Sequence, residues 1–253
     1  MPLGLWRTIR LIQALIQALA LGALPLLSSD LTLTCKISGK DLRGRKVDGL
    51  LKQYFSVTKS RENNVATGID KLKDYGTGTF YEINHREKKI YKSTLEGRRE
   101  LAQAVDKQLG PLVKSTALLA FGDPAQSKLE ELGSEKILGK TCRKVRLTVG
   151  KWIEELSLDP TLNVPLDPSK VIDAMVPNHV TAVIDRLGLE KIKLKGVALR
   201  THSRGVLDMD QRIEVTAIDT HPIPPSLWQL PKGYTWVDRS KEAQKALLQK
   251  TES

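Results

Sequence analysis

From Leu31 onward the chain is written in twos: Leu31, Leu33, Cys35 and Ile37 alternate with polar residues, which is how a strand with one buried and one wet face is encoded. Similar stretches run through Leu50 to Lys59, Val65 to Lys73, Thr79 to His85 and Lys88 to Ser93. They are separated by Glu62-Asn63-Asn64, Gly76-Thr77-Gly78 and Arg86-Glu87, residues that favour turns. The pattern predicts an antiparallel meander. Aromatics make up only 5% of the chain, so Leu, Ile and Val must fill the core.

The period changes after Leu95. Leu101, Val105, Leu109 and Leu112 fall on one helical face ahead of the apolar stretch Ala117 to Phe121. Gly110-Pro111 divides this region into two helices, because proline breaks the first ladder and starts a second well. A short helix is expected over Ala125 to Leu132, then strands over Thr141 to Val149 and Trp152 to Leu158. The proline-rich stretch from Leu158 to Ser169 reads as a rigid loop. Ser169 to Leu187 is helical in pattern with a break at Pro177, Leu189 to His202 and Val206 to Ile218 form a hairpin, and Lys241 to Lys250 is a short amphipathic helix or tail.

Ahead of the first strand, Met1 to Ser29 holds no acid and two bases, Arg7 and Arg10, followed by the apolar run Leu11 to Leu27. A charged segment followed by an apolar one is the layout of a signal peptide, here with cleavage expected just before Asp30. A retained anchor is the alternative, but the run of about 17 residues falls short of the ~20 that a spanning helix needs. Removing the two arginines takes the formal charge of +11 to +9. Such a basic surface suits anionic partners, among them an anionic envelope surface, while scattered bases alternating with apolar residues also describe solvated strand faces. Cys35 and Cys142 are the only cysteines. In an oxidising compartment they could pair, and two separately buried thiols are an equal alternative. Thr32-Leu33-Thr34 makes Cys35 a poor acceptor for lipid.

No catalytic motif stands out. Gly133 followed by Gly139-Lys140-Thr141 imitates a phosphate-binding loop, but the glycine spacing is one residue too long and no helix is expected to follow. His85, His179, His202 and His221 lie far apart, without the spacing of a metal site, and no cofactor is expected. Asp208 and Asp210 flank Met209 and read as solvated acids. No Gly-x-Ser-x-Gly is present. Aromatics beside the bases are too few, Tyr81 and Tyr91 being the nearest, for a nucleic-acid stacking platform.

Two segments carry a resemblance. Gly139-Lys-Thr-Cys142-Arg-Lys-Val145 looks like the cysteine-bearing strand of exported bacterial proteins of unassigned function in the lipoprotein-carrier (LolA-like) superfamily. Pro225-Ser-Leu227-Trp228-Gln-Leu230-Pro231-Lys-Gly233-Tyr234 is similar to their closing segment, with Trp228 in place of the usual Phe. The resemblance implies an α+β fold, a strongly curved antiparallel sheet forming an incomplete β-barrel with helices covering its concave face. It would span 30–238, between the signal peptide 1–29 and a C-terminal helix or tail 239–253. It also implies an apolar cavity between sheet and lid, with Tyr81 and Ile83 on the sheet and Leu101, Val105, Leu109 and Leu112 on the lid as candidate lining. Cys142, Leu227, Trp228, Leu230, Pro231, Gly233 and Tyr234 would be signatures of the fold, not of a reaction. The expected function is non-enzymatic: a monomeric envelope protein binding a lipid or lipidated protein, or alternatively an envelope interaction or stress-sensing module with a filled core.

Overall fold

The computed structural model describes residues 30–41, 44–100, 103, 127–166, 196–205 and 208–239. The signal peptide expected over 1–29, the lid positions Leu101, Val105, Leu109 and Leu112, the helical stretch from Ser169 to Leu187 and the tail from Lys241 lie outside the described residues.

Among the described residues, twelve strands form one sheet. In chain order they are β1 (Leu31–Lys40), β2 (Lys46–Phe55), β3 (Lys59–Asn64), β4 (Ile69–Asp74), β5 (Thr79–Asn84), β6 (Lys89–Thr94), β7 (Ser127–Ile137), β8 (Lys140–Val149), β9 (Trp152–Asp159), β10 (Val197–Arg204), β11 (Asp210–Asp219) and β12 (Thr235–Asp238). In space the order is β12-β6-β5-β4-β3-β2-β1-β11-β10-β9-β8-β7. Every neighbouring pair is antiparallel except β12, which adds parallel to β6.

The expected meander is present with its first turns relocated. Leu50 to Lys59 does not run as one strand, because the chain reverses between Phe55 and Lys59, and the Glu62-Asn63-Asn64 cluster belongs to β3, with only Asn64 taking part in the turn that follows. Three successive hairpins then repeat one local device ten residues apart. The side-chain oxygens of Asn64, Asp74 and Asn84 accept from the main-chain N–H of Thr67, Thr77 and Glu87, and the next residue, Gly68, Gly78 or Lys88, adopts positive φ. Asn and Asp stabilise such turns through this bond, and a glycine takes the left-handed conformation without a Cβ penalty. Lys88, at φ 49°, does so without that freedom.

The expected layering is corrected by the structure. The described residues give an open, predominantly β architecture: a helix begins at 95–100, a 3₁₀ turn covers Pro225–Trp228, and no described layer of helices covers a face of the sheet. The helix expected over Ala125 to Leu132 is replaced from Ser127 by the edge strand β7. There Leu129 and Glu131 pair with Leu147 and Val145, and a register shift near Gly133 absorbs the extra residue. Hydrogen bonding to β8 overrides the local helical propensity of Lys-Leu-Glu-Glu-Leu. The imitation phosphate loop is the β7–β8 hairpin, turned by Leu138 (φ 50°) and Gly139 (φ 75°).

Side-chain alternation divides the sheet into two faces. Leu33, Cys35 and Ile37 pair with Gln53, Leu51 and Gly49 of β2 and with Ile218, Val215 and Ile213 of β11. That face continues through Thr201, Leu156 and Val145. On it lies most of a core cluster that includes Leu31, Leu33, Cys35, Ile37, Val47, Leu51 and Val215. The opposite face carries Lys36, Glu214, Arg200, Ser157 and Lys144 in register. The two are called below the Leu33 face and the Arg200 face.

Candidate functional site

The Leu33 face is largely apolar across β2, β1, β11, β9 and β8, because most alternate positions there are Leu, Ile, Val, Cys or Trp, with Gln53 and Gly49 of β2 and Arg143 of β8 as exceptions. β9 illustrates this with Trp152 and Leu156, each 1% exposed. Glu154 sits between them in the same parity, 3% exposed, opposite Ser203 of β10 and Leu147 of β8. Trp152 Nε1 donates to Glu154 Oε2 at 3.2 Å. Burial raises the Glu154 carboxyl to about 7, while hydrogen bonds from Ser203 and Trp152 pull the other way. With Thr201 and Ser203, both buried, it makes a polar island in a hydrocarbon surface. The sequence contained a sign of it, a glutamate in the same alternating set as Trp152, Leu156 and Leu158.

Cys35 and Cys142 both belong to the core cluster, and both are free, buried thiols. Each has its own weak partner: Cys35 Sγ lies 3.9 Å from Gln53 Oε1, and Cys142 Sγ lies 3.8 Å from the Lys140 carbonyl. Burial, with help from Glu62, pushes the Cys35 thiol up to about 12. Burial, then Asp159 and Glu135, also raise Cys142. Thiols held protonated are poor nucleophiles.

Of the candidate cavity residues, Tyr81 and Ile83 are described. Alternation puts them on the face shared with Leu72, Ile90 and Arg61, opposite Phe80. Ile83 is completely buried, and Tyr81 meets Trp236 edge-on at 6.0 Å between ring centres. Phe80 instead faces the helix that begins at 95, where the Arg98 guanidinium lies 4.1 Å from its ring centre.

The closing segment bridges β11 and β12 and is tied to the Arg200 side of β3 to β6. Arg61 Nη1 donates to the carbonyls of Leu227 and Gln229, at 2.7 and 3.0 Å. Arg61 Nη2 pairs with Asp70 at 3.0 Å, and Asp70 also meets His85 Nε2 at 3.0 Å. The other His85 nitrogen bonds Tyr234 Oη at 3.0 Å. Leu227, Trp228, Leu230, Pro231 and Tyr234 are half-buried along this path. Gly233 turns the chain at φ 76° so that Trp236 can pair with Ile90. Sequence reading missed Arg61, Asp70 and His85, which look like ordinary strand charges until the segment from 225 is brought across them. Among the described residues no cluster of His, Cys, Asp and Glu has the makings of a metal site.

A second set of side chains gathers on the Arg200 face of β8 to β11. Lys144, Glu155, Ser157, Arg200, His202, Arg212 and Glu214 enclose a groove of about 350 Å³. Arg200 pairs with Glu214 at 3.1 Å and with Glu135. Glu155 takes Arg146 at 2.8 Å and Arg204 at 3.2 Å. Burial opposes ionisation of Glu155, but these arginine hydrogen bonds outweigh it and hold the carboxyl below its ordinary range. His202 Nε2 lies 2.7 Å from Asp210 Oδ1, so the acid expected to be merely solvated has a partner. Asp208 is exposed at the start of this hairpin.

No family model matches the sequence, and neither does any curated protein. Among solved structures, the chain is similar to an uncharacterized conserved protein from Thermus thermophilus, with 9% identity and TM-score 0.46, over 92% of this chain and 99% of that one. It is similar to a chain of the Pseudomonas aeruginosa MucA/MucB complex, with 13% identity and TM-score 0.42, over 90% of this chain and 62% of that one. The third similarity, to a protein from Nitrosomonas europaea, has 8% identity and TM-score 0.30, over 87% of this chain and 97% of that one. That Nitrosomonas europaea protein is described as a LolA superfamily protein.

Proposed function

We propose that this is a non-enzymatic protein of the cell envelope that holds a hydrophobic ligand, a lipid or the acyl chain of a lipidated protein, against the Leu33 face of its sheet. The domain would span 30–238, following an export segment over 1–29. The observation that carries the reading is the breadth of that face: aliphatic side chains aligned from Leu51 of β2 to Val145 of β8, interrupted by the polar island at Glu154, Thr201 and Ser203. A hydrocarbon chain laid on it would gain about 0.8 kcal/mol per buried methylene. Leu101, Val105, Leu109 and Leu112 would supply the opposing wall.

A second reading, an interaction or sensing module with a filled core, is favoured by how completely the face is already buried, with Cys35, Val145 and Leu199 at 0% exposure. Native mass spectrometry of the protein purified from an envelope fraction separates the two. A carrier retains extractable lipid and enhances the fluorescence of N-phenyl-1-naphthylamine, which fatty acid then displaces, and Val105→Glu abolishes both. Absence of lipid together with absence of a dye response overturns carriage and leaves the filled module.

A further inference from the structure

The geometry points to a second ligand site on the face opposite the proposed hydrophobic one: the groove between Lys144, Ser157, Arg200, His202 and Arg212 binds a phosphomonoester. Its lining holds three fixed cations, Lys144, Arg200 and Arg212, with the carboxylates Glu155 and Glu214, and two more carboxylates reach it from the edge, Glu135 at Arg200 and Ser157 and Asp210 at His202. The carboxylates are already committed. Glu214 is held by Arg200 through both oxygens at 3.1 Å, and Glu155 by Arg146 and Arg204. Lys144 Nζ therefore has only a distant share of Glu155, at 3.9 Å. Arg212 makes no close ion pair with any described residue, and its charge favours ionisation of Asp210, a carboxylate already bonded to His202.

Lys144 of β8 and Arg212 of β11 stand on opposite sides of one concavity without a close ion pair, an arrangement that favours an anion between them. The walls are cross-linked, since Glu135 ties β7 to Ser157 of β9 and Arg200 of β10. A dianion with several acceptor oxygens matches the donors left on offer, the Arg212 guanidinium and the Lys144 ammonium, while Ser157 and His202 are already bonded to Glu135 and Asp210. The volume of about 350 Å³ accepts a phosphate with a small organic group. Such a group could come from a soluble phosphate ester or from a lipid headgroup.

The test uses the exported protein in salt of about 0.15 M, where diffuse surface attraction is screened. Glycerol 3-phosphate is titrated calorimetrically, and vesicles of phosphatidylcholine with and without phosphatidic acid are assayed by co-sedimentation. Saturable binding that falls at least about tenfold in Arg212→Gln and Lys144→Gln, but not in Lys136→Gln on the exposed strand β7, supports the site. Glycerol 3-phosphate binding identifies a soluble ester, and binding only to phosphatidic acid vesicles identifies a headgroup. Unchanged urea midpoints exclude loss of fold as the cause, and Arg212→Lys, which keeps the charge, retains part of the affinity. Failure of both probes to bind saturably, or binding that survives the glutamine substitutions, overturns it. Lipid extraction and dye binding report the other face, so either site can fail alone.

Discussion

Arg61 Nη1 donates a 2.7 Å hydrogen bond to the carbonyl of Leu227, 166 residues further along the chain. With the bond to Gln229 and the Asp70 ion pair, this one guanidinium fastens the closing segment to the middle of the β2–β6 meander. Arg61 and Asp70 are both nearly buried, so neither charge is well hydrated when alone.

Removing Arg61 should therefore cost more than a surface pair would. Arg61→Met is expected to lower stability by about 3 kcal/mol, within the range for breaking a buried pair from one side. Urea denaturation reads the loss, and limited proteolysis should show cleavage near 225–236 before the rest of the sheet. Arg61→Met with Asp70→Asn should recover part of it, because the stranded carboxylate is gone.

Glu154 makes stability depend on pH. Its folded-state value of about 7 lies above the ordinary 4.5, so between these limits the native state binds more protons than the unfolded chain. The slope of stability with pH is then negative. The contribution is fully present below about pH 4.5 and is lost progressively up to about pH 7, by roughly 3 kcal/mol. Glu154→Gln should flatten this part of the profile, measured as the urea midpoint at about pH 5 and about pH 8. An unchanged slope in the variant would show that another group is responsible.

The buried thiols should be silent until the protein unfolds. Ellman's reagent at about pH 8 is expected to find no reactive thiol in the native protein. In guanidinium without reductant it should find both Cys35 and Cys142. Detection of none in guanidinium would show that the purified protein carries a bridge.

The third hairpin turn offers a stabilising substitution. Lys88 is exposed and occupies the left-handed position that Gly68 and Gly78 fill in the two preceding turns. Lys88→Gly removes the Cβ strain of roughly 1–2 kcal/mol and adds backbone entropy of roughly 0.5–1 kcal/mol to the unfolded chain. A net gain of about 0.5–1 kcal/mol should appear as a raised urea midpoint.

Much of the sheet is legible because its information is local. The alternation over Leu31 to Ile37, Val145 to Val149 and Trp152 to Leu158 names both the strands and the side chains that go inside. Turn residues at ten-residue intervals place the hairpins within a few positions. β7 fails this reading, since its sequence favours a helix and only pairing with β8 makes it a strand. Tyr81 and Ile83 show a different limit: alternation says that they share a face, not which face the rest of the chain will cover.

By itself, then, the sequence determined a meander of half-buried strands, an apolar face of Leu, Ile and Val, and the closing Leu-Pro-x-Gly-Tyr turn, because each depends on periods of two or on the dihedral preferences of single residues. Tertiary structure alone decided that β11 lies beside β1, that Arg61 meets Leu227, and that Lys144 and Arg212 line one groove. Those relationships join residues tens to hundreds of positions apart. They are set by which buried charges find partners and which hydrocarbon faces exclude water, and these are properties of the whole packed chain.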